Sequence, residues 1–364
     1  MNIKKETAAT TIHITGGGNA NLHKAKAAKN DEFYTQLSDI EKEIIHYKEH
    51  FKGKTVYCNC DDPYESNFFK YFALHFNDFQ LKKLIATCYA GSPVANTQLS
   101  LFPNEPQEDK TTKSPHKIVI TEIKDGAFDL NDIKTLLANK KNALTRLKGD
   151  GDFKSPECIE LLKEADIVCT NPPFSLFRKY IAQLIEYDKK FIIIGNWNVV
   201  AYKDIFTLIK NNKLWIGHSL SYIAFKVPDY YEEKSTRFWI DDTGQKWRSM
   251  GNVCWFTNLD HKKRHEEIIL YEHYTPEKYP KYDNYDAINI NKCNEIPCDY
   301  YGYMGVPITF LDKYNPHQFE IIGMSSSAGY DPSIVGMPKL KDGDARPLIN
   351  EKTTYARIFI QRTK

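Results

Sequence analysis

The chain has no long uninterrupted apolar run, so no segment reads as a bilayer span, and Met1 to Thr15 carries lysines but no apolar core of signal-peptide length. These absences point to a soluble, cytoplasmic protein. Charge of one sign is also lacking: 49 Lys and Arg stand against 47 Asp and Glu, a formal net charge of +2. No global basic field marks a nucleic-acid binder, although the basic residues can still gather on one face. Metal-site spacing is missing too. The eight cysteines are scattered, and the close pairs Cys58/Cys60 and Cys293/Cys298 lack a repeated CxxC or Cys/His pattern, so they read as reduced thiols and no metal is expected. What is present is bulk: 364 residues at 41% hydrophobic content can bury the core of one large or two medium domains.

Gly16, Gly17 and Gly18, with the lysine-rich stretch after them, read as part of a flexible arm over residues 1–30. A glycine run cradles phosphate where a strand feeds it, and none precedes this one. Order is expected from Asp31. Ile40, Ile44, Ile45 and Tyr47 recur at helical spacing, Gly53 ends that helix, and Thr55 to Cys58 makes a first strand. Ser66, Asn67, Phe68 and Phe69 open an aromatic-rich helix through Phe76, and a second strand runs from Lys83 to Tyr89. From Ala90 to Gly149 the pattern loosens. Ser92 to Ser114 reads as loop, while Lys117 to Ile123 and Ala127 to Leu130 resemble a small hairpin around Lys124, Asp125 and Gly126, an excursion from the main sheet.

Regular alternation then resumes with a helix near Cys158 to Ala165, a strand through Ile167, Val168 and Cys169, a helix from Ser175 to Tyr187, and the apolar strand Phe191 to Gly195. The expected fold class is α/β, with a doubly wound, mostly parallel sheet. Such sheets bind ligands beyond the carboxyl ends of their strands, where Asp61, Asp152, Asn171 and Asn196 fall.

Asn171, Pro172, Pro173 and Phe174 follow the third of these strands and carry a specific chemistry. An exocyclic amine on a nucleobase is a poor nucleophile because its lone pair is delocalised into the ring. Two acceptors aimed at the amine protons favour a more tetrahedral nitrogen. The Asn171 side-chain oxygen and the Pro172 carbonyl supply them, and two prolines fix φ and hold both in place. Phe174 offers a flat face on which an unstacked base can rest. The pattern therefore reads as an amino-methylation site working by orientation and electrostatics, without a covalent enzyme intermediate. An ordinary strand-ending turn uses the same residue types.

The Asn171 to Phe174 motif, the upstream Asp31-Glu32-Phe33-Tyr34-Thr35, and the strand leading into Cys58-Asn59-Cys60-Asp61-Asp62-Pro63 together resemble the EcoRI-type family of adenine-N6 DNA methyltransferases. The later segments GNVCWFTNLDHKKR, GVPITFLDKYNPHQFEIIG and YARIFI are similar to that family as well, so the resemblance covers most of the chain. It implies the class I S-adenosylmethionine-dependent methyltransferase fold, with a C-terminal target-recognition region and double-stranded DNA as partner. Phe33, Tyr34 and Thr35 match the segment that closes over S-adenosyl-L-methionine. Asp61 and Asp62 stand where a carboxylate neutralises the cofactor's ammonium group, and Asp152 and Phe153 where the cofactor's adenine is held. The chain departs from the general methyltransferase pattern in having Asp62-Pro63-Tyr64-Glu65-Ser66 in place of a glycine-rich loop, and Tyr89-Ala90-Gly91 where a ribose-binding acid often stands.

Lys213 to Val227 and Asn252 to Asn258 read as the last two strands. Tyr230 to Gly251 between them reads as a protruding hairpin that alternates basic and aromatic residues: Arg237, Trp239, Lys246, Trp247 and Arg248. His261 to His265 adds a charge run, and Tyr271 to Tyr303 is rich in Tyr, Lys and Asn, side chains suited to phosphates and base edges or equally to solvated surface. The division implied is a catalytic domain over 31–260, with inserts near 92–148 and 228–251, and a recognition region over 261–364. A monomer is the default state. RNA adenine or a protein glutamine amide is the alternative acceptor, and a non-catalytic nucleic-acid-binding protein of methyltransferase fold is the remaining reading.

Overall fold

A computed structural model describes residues 34–60, 66–89, 115–123, 143–219, 224–227, 231–233, 235–249, 251–325 and 329–363. The proposed arm, Phe33, Asp61, Asp62, the Ser92 to Ser114 loop, and the 124–130 turn and strand lie outside these residues. No helix among those described is long and apolar enough to cross a membrane.

Three short apolar runs make the centre of the molecule. Thr55–Cys58 (β2), Ile167–Thr170 (β6) and most of Lys190–Asn196 (β7) are buried along their length, as strands covered on both faces must be. They pair in parallel with each other and with Lys83–Thr87 (β3), in register Val56↔Leu84, Val56↔Ile167 and Val168↔Phe191. The helices between them have explicit start signals. Ser66 Oγ accepts from the amides of Phe68 and Phe69 to cap Asn67–Leu74, and Ser155 Oγ accepts from Cys158 N–H to cap Pro156–Glu164, which begins on proline.

Flanking this parallel core are His116–Ile120 (β4), Ala143–Arg146 (β5), Trp215–Ile216 (β8) and Val253–Thr257 (β12), giving the order β5-β4-β3-β2-β6-β7-β12-β8. Three of the seven neighbouring pairs are parallel and four antiparallel, so the sheet is mixed with a parallel core where a mostly parallel one was expected. A second difference explains part of the first. β4 is no excursion: it pairs antiparallel with β3 through Leu84↔Ile120 and takes β5 as its other partner. Docking there satisfies the open edge of β3 and buries Ile118 and Ile120 completely.

Lys213 to Val227 is likewise not one strand. β8 stays in the main sheet, whereas Ala224–Lys226 (β9) joins Tyr34–Thr35 (β1), Phe238–Ile240 (β10) and Lys246–Ser249 (β11) in a second sheet, ordered β1-β9-β11-β10. The chain leaves β8 at Gly217, where a Cβ would collide with the buried Glu43 carboxylate and stand 2.5 Å from Trp255 Cβ. β10 and β11 form the expected hairpin, pairing Trp239 with Trp247.

Alternation along β2 assigns the two sides of the sheet. Val56 and Cys58 face a cluster with Ile40, Phe51, Phe68, Phe72 and Trp255; Tyr57 faces the other side, with Val168, Phe177 and Tyr180. The latter cluster continues without a break into the C-terminal sheet. That sheet is built from Ile288–Asn289 (β13), Met304–Val306 (β14), Phe319–Met324 (β15) and Ile358–Arg362, and contributes Ile288, Met304, Phe319 and Ile360.

Candidate active site

Because β3, β2, β6 and β7 run the same way, the residues that follow them collect on one rim. Asn59, after β2, is almost wholly buried. Its side-chain oxygen accepts from the Tyr180 hydroxyl, carried by the helix Phe177–Glu186 that follows the Asn-Pro-Pro-Phe turn. Tyr57 and Thr87 hydroxyls lie 2.9 Å apart, and Thr87 Oγ1 is 3.4 Å from the Asn59 carbonyl. Burial pushes the Tyr57 hydroxyl well above its ordinary pKa and raises the Cys158 thiol, so both stay protonated at neutral pH.

Phe153 is brought into this group. Its ring meets Tyr180 edge-on with centroids 5.1 Å apart, and its carbonyl accepts from Gln183 Nε2 at 3.1 Å. The loop before it reaches the end of β3 because Gly151 adopts φ +76° and packs where any Cβ would strike the Cys88 carbonyl. Asp152 sits half-buried in the same turn, where its Oδ1 accepts from Lys154 N–H at 2.8 Å.

Thr35 arrives from the second sheet. Asn67 Nδ2, in the first turn of the helix after β2, donates to the Thr35 carbonyl at 2.7 Å. Thr35 Oγ1 is buried and has no hydrogen-bond partner among the described residues. Tyr34 precedes it in β1, paired with Lys226.

Asn171 stands one residue past β6, half-buried, with its side-chain oxygen shielded from solvent. Pro172 is buried, and Pro173 begins the tight turn Phe174–Leu176, its carbonyl accepting from Leu176 N–H at 2.9 Å. Phe174 packs edge-on against Phe225 of β9, which is the register partner of Thr35. Thr35, Phe225 and Phe174 thus lie in sequence across one wall, with Asn171 beside them in the chain. Asn196 serves the backbone instead, since its side chain caps the next turn through Asn198 N–H and accepts from Asn252 Nδ2.

Sequence reasoning did not single out Asn59, Asn67, Thr87, Tyr180 or Phe225. Asn59 could have been found as the first polar residue after a buried strand. The others come from elements whose register only the fold supplies.

The family model described as "Adenine-specific methyltransferase EcoRI" matches residues 21–363. The chain belongs to this family. Among its relatives, the type II methyltransferase M.EcoRI of Escherichia coli is 46% identical over 349 residues, covering 94% of this chain and 96% of that protein. M.MgeORF184P of Mycoplasma genitalium is 39% identical over 94% of this chain and 98% of its own, and M.MpnI of Mycoplasma pneumoniae 40% identical over 83% and 84%. No solved structure matches. The protein is an adenine-specific DNA methyltransferase that uses S-adenosylmethionine. The methyltransferase's rim suits that group. A buried hydroxyl at Thr35 with no partner among the described residues is what a polar cofactor would satisfy, and Phe153 puts an aromatic ring against Tyr180, whose hydroxyl donates to Asn59 just past β2.

Proposed function

We propose that the enzyme is a site-specific type II methyltransferase, acting as a monomer on an adenine flipped out of double-stranded DNA. The observation that carries this reading is the position of Asn171, Pro172, Pro173 and Phe174 at the carboxyl end of a parallel core strand, with Phe174 braced against Phe225. The adenine rests on Phe174, which offsets part of the unstacking cost. Asn171 Oδ1 and the Pro172 carbonyl accept from its two amine protons and localise the lone pair on nitrogen. Once that nitrogen gains a methyl group, one of these protons leaves for solvent and the amine is neutral again. S-adenosylmethionine, when bound, supplies the methyl group from a positively charged sulfur, which keeps the electron pair of the broken sulfur–carbon bond and is left as a neutral thioether. Thr35 and Phe153 would hold it together with Phe33, Tyr34, Asp61 and Asp62, and Asp152 would accept from its adenine amine. The β10–β11 hairpin and residues 261–364 read the DNA.

Asn171→Ala tests the assignment. Transfer should fall on the order of a hundred-fold or more, as when one preorganised polar group is removed from an active site, with cofactor affinity within a few-fold of the parent. Undiminished turnover would contradict the role.

A further inference from the structure

Two segments of the C-terminal region, 25 residues apart in sequence, are held side by side by their backbones. Glu272 bridges Pro297 in parallel, Cys298 N–H donates to the Glu272 carbonyl at 2.7 Å, and Tyr274 N–H donates to Asp299 Oδ1 at 2.8 Å. This pinning delivers three metal-ligating side chains to one point. His273 Nδ1 is 3.0 Å from Asp299 Oδ2 and 3.7 Å from Cys298 Sγ. It is the one such convergence of three ligand types among the described residues.

Both contacts are made by the same ring nitrogen. A nucleophilic Cys-His-Asp relay needs its acid and its thiol on opposite nitrogens of the imidazole, so the arrangement is unsuited to that chemistry. It suits a shared ion instead. Zinc lies ~2.0–2.1 Å from nitrogen and oxygen and ~2.3 Å from sulfur, and tetrahedral placement then separates ligand atoms by roughly 3.3–3.6 Å. The two observed separations bracket that range. His273 and Asp299 side chains are 75% and 47% exposed, which leaves a fourth position open to water. The Tyr274 amide fixes the carboxylate through its other oxygen, Oδ1, as outer partners of metal ligands commonly do. A thiolate, an imidazole and a carboxylate favour a borderline ion over magnesium or calcium.

We propose that His273, Cys298 and Asp299 bind one zinc-like divalent cation, with water as the fourth ligand, and that the ion clips the 272–274 segment to 297–299. The linear spacing hid the site, since Cys298 finds its partner in a distant histidine and not in its neighbour Cys293, which is buried in the core.

The test uses the full, tag-free chain titrated with Co²⁺ and then Zn²⁺. One equivalent of cobalt should give thiolate-to-cobalt charge-transfer absorption, abolished by zinc and unaffected by excess Mg²⁺. The apparent affinity should fall at least tenfold in His273→Gln, and the band should vanish in Cys298→Ser. Because both side chains reach solvent, the variants should keep the parent's metal-free melting temperature. As a readout on the parent chain alone, zinc should protect Cys298 from alkylation in a peptide map. No thiolate band, an equal band in Cys298→Ser, or alkylation of Cys298 unaffected by zinc would overturn the proposal.

Discussion

The Phe177 ring packs onto Gly195 so closely that a Cβ there would stand 2.7 Å from the ring's Cζ and 2.9 Å from the Phe256 ring. Phe177 opens the helix that follows the Asn171 to Phe174 turn, so this contact seats the turn on β7. Gly195→Ala should therefore destabilise the fold by about 1–3 kcal/mol, the usual cost of overpacking a core, and slow transfer by displacing the turn. Denaturant unfolding and methylation rates measure the two effects; parent-like values of both would show that the seat has slack.

Thr35→Val separates cofactor binding from folding. The hydroxyl is buried without a partner among the described residues, so removing it should leave the cofactor-free protein as stable as the parent or more so. If S-adenosylmethionine supplies the partner, its affinity should fall about five- to tenfold, near 1 kcal/mol. Calorimetric titration beside a melting curve decides it. A variant that binds cofactor as tightly as the parent would remove Thr35 from the site.

His261 sets a pH dependence at the opposite end of the sheet. Its Nε2–H donates to the Ile216 carbonyl at 3.1 Å, and burial pushes its pKa from 6.5 down to about 4. The Ile216 hydrogen bond and Asp260 oppose this shift, whereas His218 and Lys263 push the same way as burial. Between these values the unfolded chain holds the proton and the native protein does not. The stability contributed by neutral His261 is thus complete above pH 6.5 and lost as pH falls toward 4. From pH 7.5 to 5 the parent should lose about 2 kcal/mol that His261→Gln does not lose. The comparison with the variant cancels the buried Glu43, whose raised pKa acts in the other direction. Urea unfolding at both pH values checks it; parallel losses in parent and variant would rule out the histidine as the cause.

The parts of this molecule legible in its sequence are those fixed by local chemistry. Thr55–Cys58, Ile167–Thr170 and the core of Lys190–Asn196 read as strands because they are continuous apolar runs, and the helix after Ser66 because serine caps it. The placement of His116–Ile120 was not legible, since the open edge of β3 decided its pairing and no local turn signal reports that edge. The division of Lys213 to Val227 between two sheets depends on Gly217 packing against Glu43, a contact between residues far apart in sequence. At the site, Asn171 to Phe174 was readable as a motif. Tyr180 reads only as the buried face of a helix until the fold sets its hydroxyl on Asn59, 121 residues away.

Adenine-amine transfer in DNA at the Asn171 rim is tested most directly by the identity of the methylated product. Purified enzyme would be incubated with methyl-labelled S-adenosylmethionine and, separately, unmodified duplex DNA, RNA and a protein extract, and the labelled product identified after digestion. N6-methyladenine should form from duplex DNA alone. Label recovered in RNA, in glutamine, or on a DNA atom other than the adenine amine would rule out DNA adenine-amine transfer as the reaction at this rim.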